Sequence, residues 1–292
     1  MILNRQKLIL SLLRMAGGEA SKLQLMKWSF LISEVSPNGG GDSFYEFMPY
    51  RFGPYSFCLE NEMIQLRRQA LVRLQGEEIW RLTPHGAREA KGLRDRLSRD
   101  VEHIMRSYGS LRTGDLIDHV YAEHPWFTVN CDVLEKRALK RHKADKKIYT
   151  IGYSGFSIDG FLNQLMRSGI SRLIDVRNNP SSRKYGFSKT RLSGLCALVG
   201  IEYESFPELG IPHEQRRNAK SDSEYCKLFD SYRRDILAKQ DVAITSVLSL
   251  LQQEPSVLMC VESSPTQCHR SHLADAISGK GSEDICHIGS SV

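Results

Sequence analysis

After Lys147 the sequence alternates short apolar runs with amphipathic stretches, and this alternation limits the fold more than any other feature. The runs KIYTIGYS, SRLIDVR, IEYESFP, SVLMCVES and EDICHIG read as strands. Between them, SIDGFLNQLMRSG, KTRLSGLCALVG, a stretch from about Ser223 to Leu251 broken near Gln240, and PTQCHRSHLADAI read as helices. Near-continuous apolar strands need cover on both faces, which argues for a mostly parallel sheet flanked by helices.

Up to about Ala144 the pattern is different and mainly helical. Leu8, Leu12 and Met15 share a helical face that Gly17 and Gly18 end. Ser21 is a plausible N-cap for SKLQLMKWSFLISEV, which offers Leu25, Trp28, Phe30 and Ile32 for burial. A loop PNGGGDSF, a Gly53-Pro54 turn, another helix and the strand–turn–helix EEIWRLTPHGAREAKGLRDRL follow. Helices followed by a two-stranded wing are the order of a winged helix-turn-helix. The basic run KRALKRHKADKK, from Lys136 to Lys147, marks the boundary. The expected architecture is thus an α/β, mostly parallel sheet domain over 146–292, preceded by a mainly α winged helix-turn-helix domain with a helical extension and basic linker over 1–145.

Open α/β sheets bind ligands beyond the carboxyl ends of their strands, so the residues after each strand locate the site. Tyr153 and Ser154 follow the first strand; Asp175, Arg177, Arg183, Tyr185 and Phe187 the second; Glu208 and His213 the third; Glu262, Cys268, His269 and Arg270 the fourth. Asp175 and Glu262 are the candidate acid, base or cation-stabilising carboxylates. Arg177, Arg183 and Arg270 form a phosphate cradle or, alternatively, a structural ion network with those carboxylates. Tyr153, Tyr185 and Phe187 can wall a stacked base, with Ser154 and His269 as further ligand contacts. Phe156 serves either this wall or the core.

With Ser264 as N-cap and Pro265 at the first helical position, Cys268 is expected in the first turn of the last helix. The helix dipole and Arg270 there would lower its pKa, giving a thiolate nucleophile; the alternative is a packed thiol. Cys260, Cys268, His269 and His272 match the spacing of no common closed zinc site, so neither a metal nor another cofactor is assigned. His119, His124 and Cys131 also lack metal-like spacing.

Four marks occur in order in the second half: Thr-Ile-Gly-Tyr-Ser from Thr150, Asp-Val-Arg-x-x-Pro-x-Ser-Arg from Asp175, Glu-Leu-Gly from Glu208, and Cys-x-Glu-x-x-Pro-x-x-Cys-His-Arg from Cys260. Together they resemble the family named domain of unknown function 488, which implies a fold and a pocket but no settled reaction. Tyr153 stands where that family often has His, and the loop after Glu208 is short. Over about residues 1–98, Pro-Tyr-x-x-Gly-Pro-Tyr-Ser from Pro49 and Leu-Thr-x-x-Gly from Leu82 resemble SocA-like and Panacea antitoxin-type winged helices.

The expected function is a DNA-directed enzyme, most concretely an N-glycosidase acting on a modified or flipped-out base. A role in bacterial anti-phage defence follows only from the kinship of the first domain. Expected nucleic-acid contacts, with double-stranded DNA as the partner, are Lys22, Lys27, Arg67, Arg68, Lys140, Arg141 and Lys143. A non-enzymatic regulator that senses a nucleotide or another anion is the main alternative, and a Cys268-dependent enzyme the third. Forty Lys and Arg against 34 Asp and Glu give a net charge of +6, which argues only weakly for a polyanionic partner. The absence of a membrane-length apolar run or a signal-like start, together with seven scattered cysteines, leads us to expect a cytoplasmic protein without a membrane partner.

Overall fold

A computed structural model describes residues 2–132, 139–217, 219, 221–281 and 284–289. The chain divides into two compact units, Met1–Lys140 and Arg141–Val292. Arg141 already belongs to the second, because its guanidinium donates to the carbonyls of Val199 and Ile170. Part of the basic run, positions 136–138, lies outside the described residues. Among the described residues, no helix is long and apolar enough to cross a membrane.

Unit 1 runs α1 (Asn4–Met15), β1 (Glu19–Ser21), α2 (Lys22–Val35), β2 (Met48–Tyr50), β3 (Gly53–Tyr55), α3 (Phe57–Arg68), β4 (Val72–Gln75) and β5 (Ile79–Leu82). It closes with α4 (Pro84–Ala90), α5 (Asp95–Tyr108) and α6 (Thr113–Glu123). Strands β1, β5 and β4 form an antiparallel sheet in that order, and β2 and β3 form a hairpin. Ser21 and Ser56 cap α2 and α3 by accepting from the backbone amides of Gln24 and Leu59. Leu8, Leu12, Leu25, Trp28, Phe30 and Ile32 are buried as the periodicity requires, whereas Met15, at the last turn of α1, is exposed.

Gly53 has φ +84°, and a side-chain carbon there would collide with the Tyr121 ring. This close approach brings the hairpin down onto α6, with α2 alongside. Lys27 fills the gap: it is 1% exposed and donates to the carbonyls of Phe52 and, at 3.0 Å, Pro54. The expected nucleic-acid contact at Lys27 is therefore corrected. Its position on α2 faces the hairpin, and the side chain holds the turn in place. Lys22, Arg67 and Arg68 are exposed.

Unit 2 continues with β6 (Ile148–Gly152), α7 (Ile158–Arg167), β7 (Arg172–Asp175), α8 (Lys189–Leu198) and β8 (Glu202–Ser205). After these come α9 (His213–Arg216), α10 (Asp222–Ser231), α11 (Asp241–Gln253), β9 (Ser256–Cys260), α12 (His269–Gly281) and β10 (Ile285–Ile288). The sheet order is β10-β6-β9-β7-β8 and every pairing is parallel, in line with the strand pattern. The chain leaves β6 toward β7 but leaves β9 toward β10, so β6 and β9 flank a topological switch point. The expected break near Gln240 is present: α10 passes into a π turn at Tyr232–Ile236 and a 3₁₀ turn before α11 starts.

Burial lowers the Lys27 pKa to about 7. The folded value lies below the unfolded one, so the folded state must bury an ammonium at pH 7 and below. Above pH 7 the folded amine is neutral while the unfolded chain still holds its proton, and stability rises with pH. Unfolding free energies of the full chain at pH 7 and pH 9.5 should differ by up to about 3 kcal/mol in favour of the higher pH, and the Lys27→Met variant should lose most of that slope. An unchanged slope in the variant would contradict the assignment.

Candidate functional site

Side chains in a strand alternate between sheet faces, and this alternation divides the residues gathered at the strand ends. Ile174 pairs with Leu258 and Asp175 with Met259. Ile174, Leu258 and Cys260 belong to the core under α11 and α12. Asp175 and Met259 therefore face the opposite side. The residues expected to form one pocket occupy two different sites.

On the side facing away from α11 and α12, Asp175 and Arg177 form an enclosed pair. Both are almost fully buried, with the guanidinium bidentate on the carboxylate at 2.8 and 2.6 Å. Arg177 also donates to the Phe187 carbonyl at 2.9 Å, and the Tyr203 hydroxyl donates to Asp175 Oδ2 at 2.6 Å. Burial works against the Arg177 charge, but the hydrogen bonds and charge of Asp175 outweigh it and raise its pKa. Tyr153 stacks on Phe187 with centroids 4.3 Å apart and lies under the Arg177 guanidinium. Asp175 and Arg177 thus have the geometry of the structural network that was the alternative to a phosphate cradle. Arg183 and Ser154 are exposed, and Tyr185 is paired with Arg191, whose Nη2 donates to its hydroxyl at 2.6 Å.

On the other side lies a cleft of about 320 Å³ beyond the carboxyl end of β9. Val261, Glu262, Gln267, Cys268 and His269 form one wall, and Ile211, His213, Arg216 and Arg217 another. Tyr225, Leu228 and Phe229 of α10 supply apolar surface. Arg216 and Arg217 were not singled out in the sequence, because they follow no strand directly. The spacing of His213 and Arg216, one helical turn apart, was the available signal. Among the described residues, the buried Arg216 Nε makes no hydrogen bond.

The loop that carries Glu262 is held from below. Arg270, 1% exposed, donates to the carbonyls of Glu262 and Ser263, the latter at 2.9 Å, and to Thr150 Oγ1 at 3.3 Å. Its donors are thereby committed to the protein, which corrects the expected phosphate-holding role. Gly152 completes the arrangement, since any side-chain carbon at this position would collide with the Glu262 carbonyl. Glu262 itself stands at the cleft mouth. Partial burial, and then the charge of Cys268, push its carboxyl above the ordinary range against the opposing pull of Arg216 and Arg270.

Cys268 is not in the first turn of the helix. Pro265 starts a 3₁₀ turn over Pro265–Gln267, Cys268 is extended with φ −138°, and α12 begins at His269. The offset points the thiol inward, next to Cys260 and His269. Burial raises the Cys268 pKa, but hydrogen bonds with Cys260 and His269 and the charges of His269 and Arg270 outweigh it and leave the thiol well below its usual range. His269 Nε2 meets the Val176 carbonyl at 2.9 Å, and its Nδ1 lies 3.7 Å from Cys260 Sγ. His272, by contrast, turns toward Arg233 and Phe229. Of the four residues weighed as metal ligands, Cys260, Cys268 and His269 converge, with donor atoms all within 4.8 Å of one another.

The enclosed pair makes a clear prediction. Asp175→Asn leaves the Arg177 guanidinium buried without its counter-ion, and urea unfolding should show a loss of about 3 kcal/mol or more. Tyr203→Phe removes one hydrogen bond and should cost about 1 kcal/mol. A stable Asp175→Asn protein would show that the carboxylate is not structural.

No curated protein and no solved structure gives a significant match to this chain. Three of the four sequence marks lie within a region that matches a family model, and the Thr-Ile-Gly-Tyr-Ser mark precedes it. Residues 157–277, within the second unit, match the family model described as Domain of unknown function DUF488.

Proposed function

We propose that unit 2 is a hydrolase that takes an anionic, ring-bearing substrate into the cleft beyond β9, most concretely an N-glycosidase acting on a modified or flipped-out base of DNA. The observation that carries this reading is the meeting of Glu262 with Arg216, His213 and the rings of Tyr225 and Phe229 around one cleft. The rings suit a flat base, the cationic side chains suit its attached phosphates, and Glu262 can protonate a leaving group or stabilise an oxocarbenium-like state. Asp175 drops out of the chemistry because Arg177 and Tyr203 enclose it.

Unit 1 supports the nucleic-acid part of the reading. The order α1–β1–α2–β2–β3–α3–β4–β5, with a sheet ordered β1-β5-β4, is compatible with a winged helix, in which α3 would serve as the recognition helix. Its exposed Arg67 and Arg68, with Lys22 on α2, are the cations available to phosphates. Lys140 is exposed, whereas Lys143 pairs with Glu254 at 2.9 Å.

A second reading, a regulator with a ligand-responsive first unit, is favoured by one observation. A cleft of about 320 Å³ beside α2 and α3 is lined by Met26, Phe52, Met63, Ile64 and Trp80, a mostly apolar surface.

The deciding experiment incubates the protein with plain and base-modified DNA and then with hot alkali. Alkali-dependent strand breaks that fall by at least about a hundredfold with Glu262→Gln are the expected result. DNA that is retarded on a gel but stays intact would favour the regulator.

A further inference from the structure

Cys260 ends β9, while Cys268 and His269 lie eight and nine residues later, Cys268 just before α12 and His269 at its start. The three are 0%, 2% and 2% exposed. One of them is at a strand end and two at a helix start, and the Arg270 clamp on the intervening loop fixes how the two elements meet. Such convergence is more than the packing of a free cysteine requires, because a buried imidazole needs polar partners for both ring nitrogens.

The hydrogen bonding of His269 determines what the cluster can do. A carbonyl only accepts, so in the neutral ring Nε2 carries the proton given to Val176 O. That leaves Nδ1 as the nitrogen with a free lone pair, and the Cys260 sulfur lies against the ring, 3.7 Å from Nδ1 and 3.9 Å from Nε2. A ring N–H fixed on a backbone carbonyl is the arrangement that orients metal-binding histidines. The spacing also agrees. Donors around a tetrahedral zinc, with bonds of about 2.3 Å to sulfur and 2.0 Å to nitrogen, lie about 3.5 Å apart for sulfur and nitrogen. The distance between Cys260 Sγ and His269 Nδ1 is 3.7 Å.

From this geometry we infer that Cys260, Cys268 and His269 form a binding site for a zinc-class divalent cation. Two thiolates and a neutral imidazole balance the dipositive charge, which makes burial of all three compatible with a charged centre. Three protein donors leave a fourth position for water or substrate, as in catalytic rather than structural zinc sites. Cys268 and His269 line the cleft while Cys260 lies beneath it, so that position faces the cleft that carries Glu262. The site stands independently of the glycosidase reading.

The test is a titration of the reduced full-length protein with cobalt(II). One equivalent should bind and give the near-ultraviolet thiolate-to-cobalt charge transfer and the strong visible bands of a tetrahedral site, both erased by one equivalent of zinc. Cys268→Ser and His269→Ala should weaken zinc binding by about a hundredfold or more. Cys226→Ser and Cys286→Ser, at exposed positions, should leave it unchanged. Because a site variant can fail to fold, the wild-type stoichiometry and the two exposed-cysteine controls also decide. An absence of tetrahedral bands, or their loss in either control, overturns the inference. One bound zinc with intact DNA would keep the metal site and reject the glycosidase. Base release by a protein that takes up no cobalt or zinc would do the reverse.

Discussion

The Arg270 guanidinium is the interaction on which the second unit's cleft depends. It sits at the first turn of α12, reaches under the loop after β9, and touches Thr150 of the neighbouring strand β6. A strand end, a loop and a helix start are thereby fixed by a single side chain. A buried guanidinium with backbone carbonyls as partners is costly to remove, because those carbonyls would lose their donors inside the protein. Glu262, Cys268 and His269 inherit their positions from it.

Much of the fold was legible in the sequence. Apolar runs identified the strands, Ser21 marked the start of α2, and the break near Gln240 was visible. Parallel pairing followed from strand–helix alternation. Strand order did not, because side-chain patterning is the same whichever strand lies alongside. Locating β9 between β6 and β7 needed the structure.

The site was legible at its edge and not in depth. Listing the residues after each strand found Glu262, Cys268, His269 and Arg270, but it joined Asp175 and Arg177 to them. The two-residue alternation that separates the sheet faces could be applied within a strand, but comparing strands requires their register. Arg270 and Arg177 illustrate a second limit. An arginine in a sequence does not announce whether it meets a phosphate, a carboxylate or a backbone carbonyl. Cys268 illustrates a third, since the 3₁₀ turn begun at Pro265 delays the helix by enough to turn its thiol inward.

The position of β9 also bears on how the protein is made. Its residues 257–260 pair with 149–152 on one side and 256–259 with 172–175 on the other, so the middle strand of the sheet is among the last to be synthesised. A nascent chain complete only through β8 holds β6 and β7 without the strand that joins them, and each presents an open edge with apolar faces. Such long-range closure is slow, and exposed edges invite association with other chains. The second unit therefore completes its sheet and its cleft in the same late step, and a prematurely terminated chain lacks both.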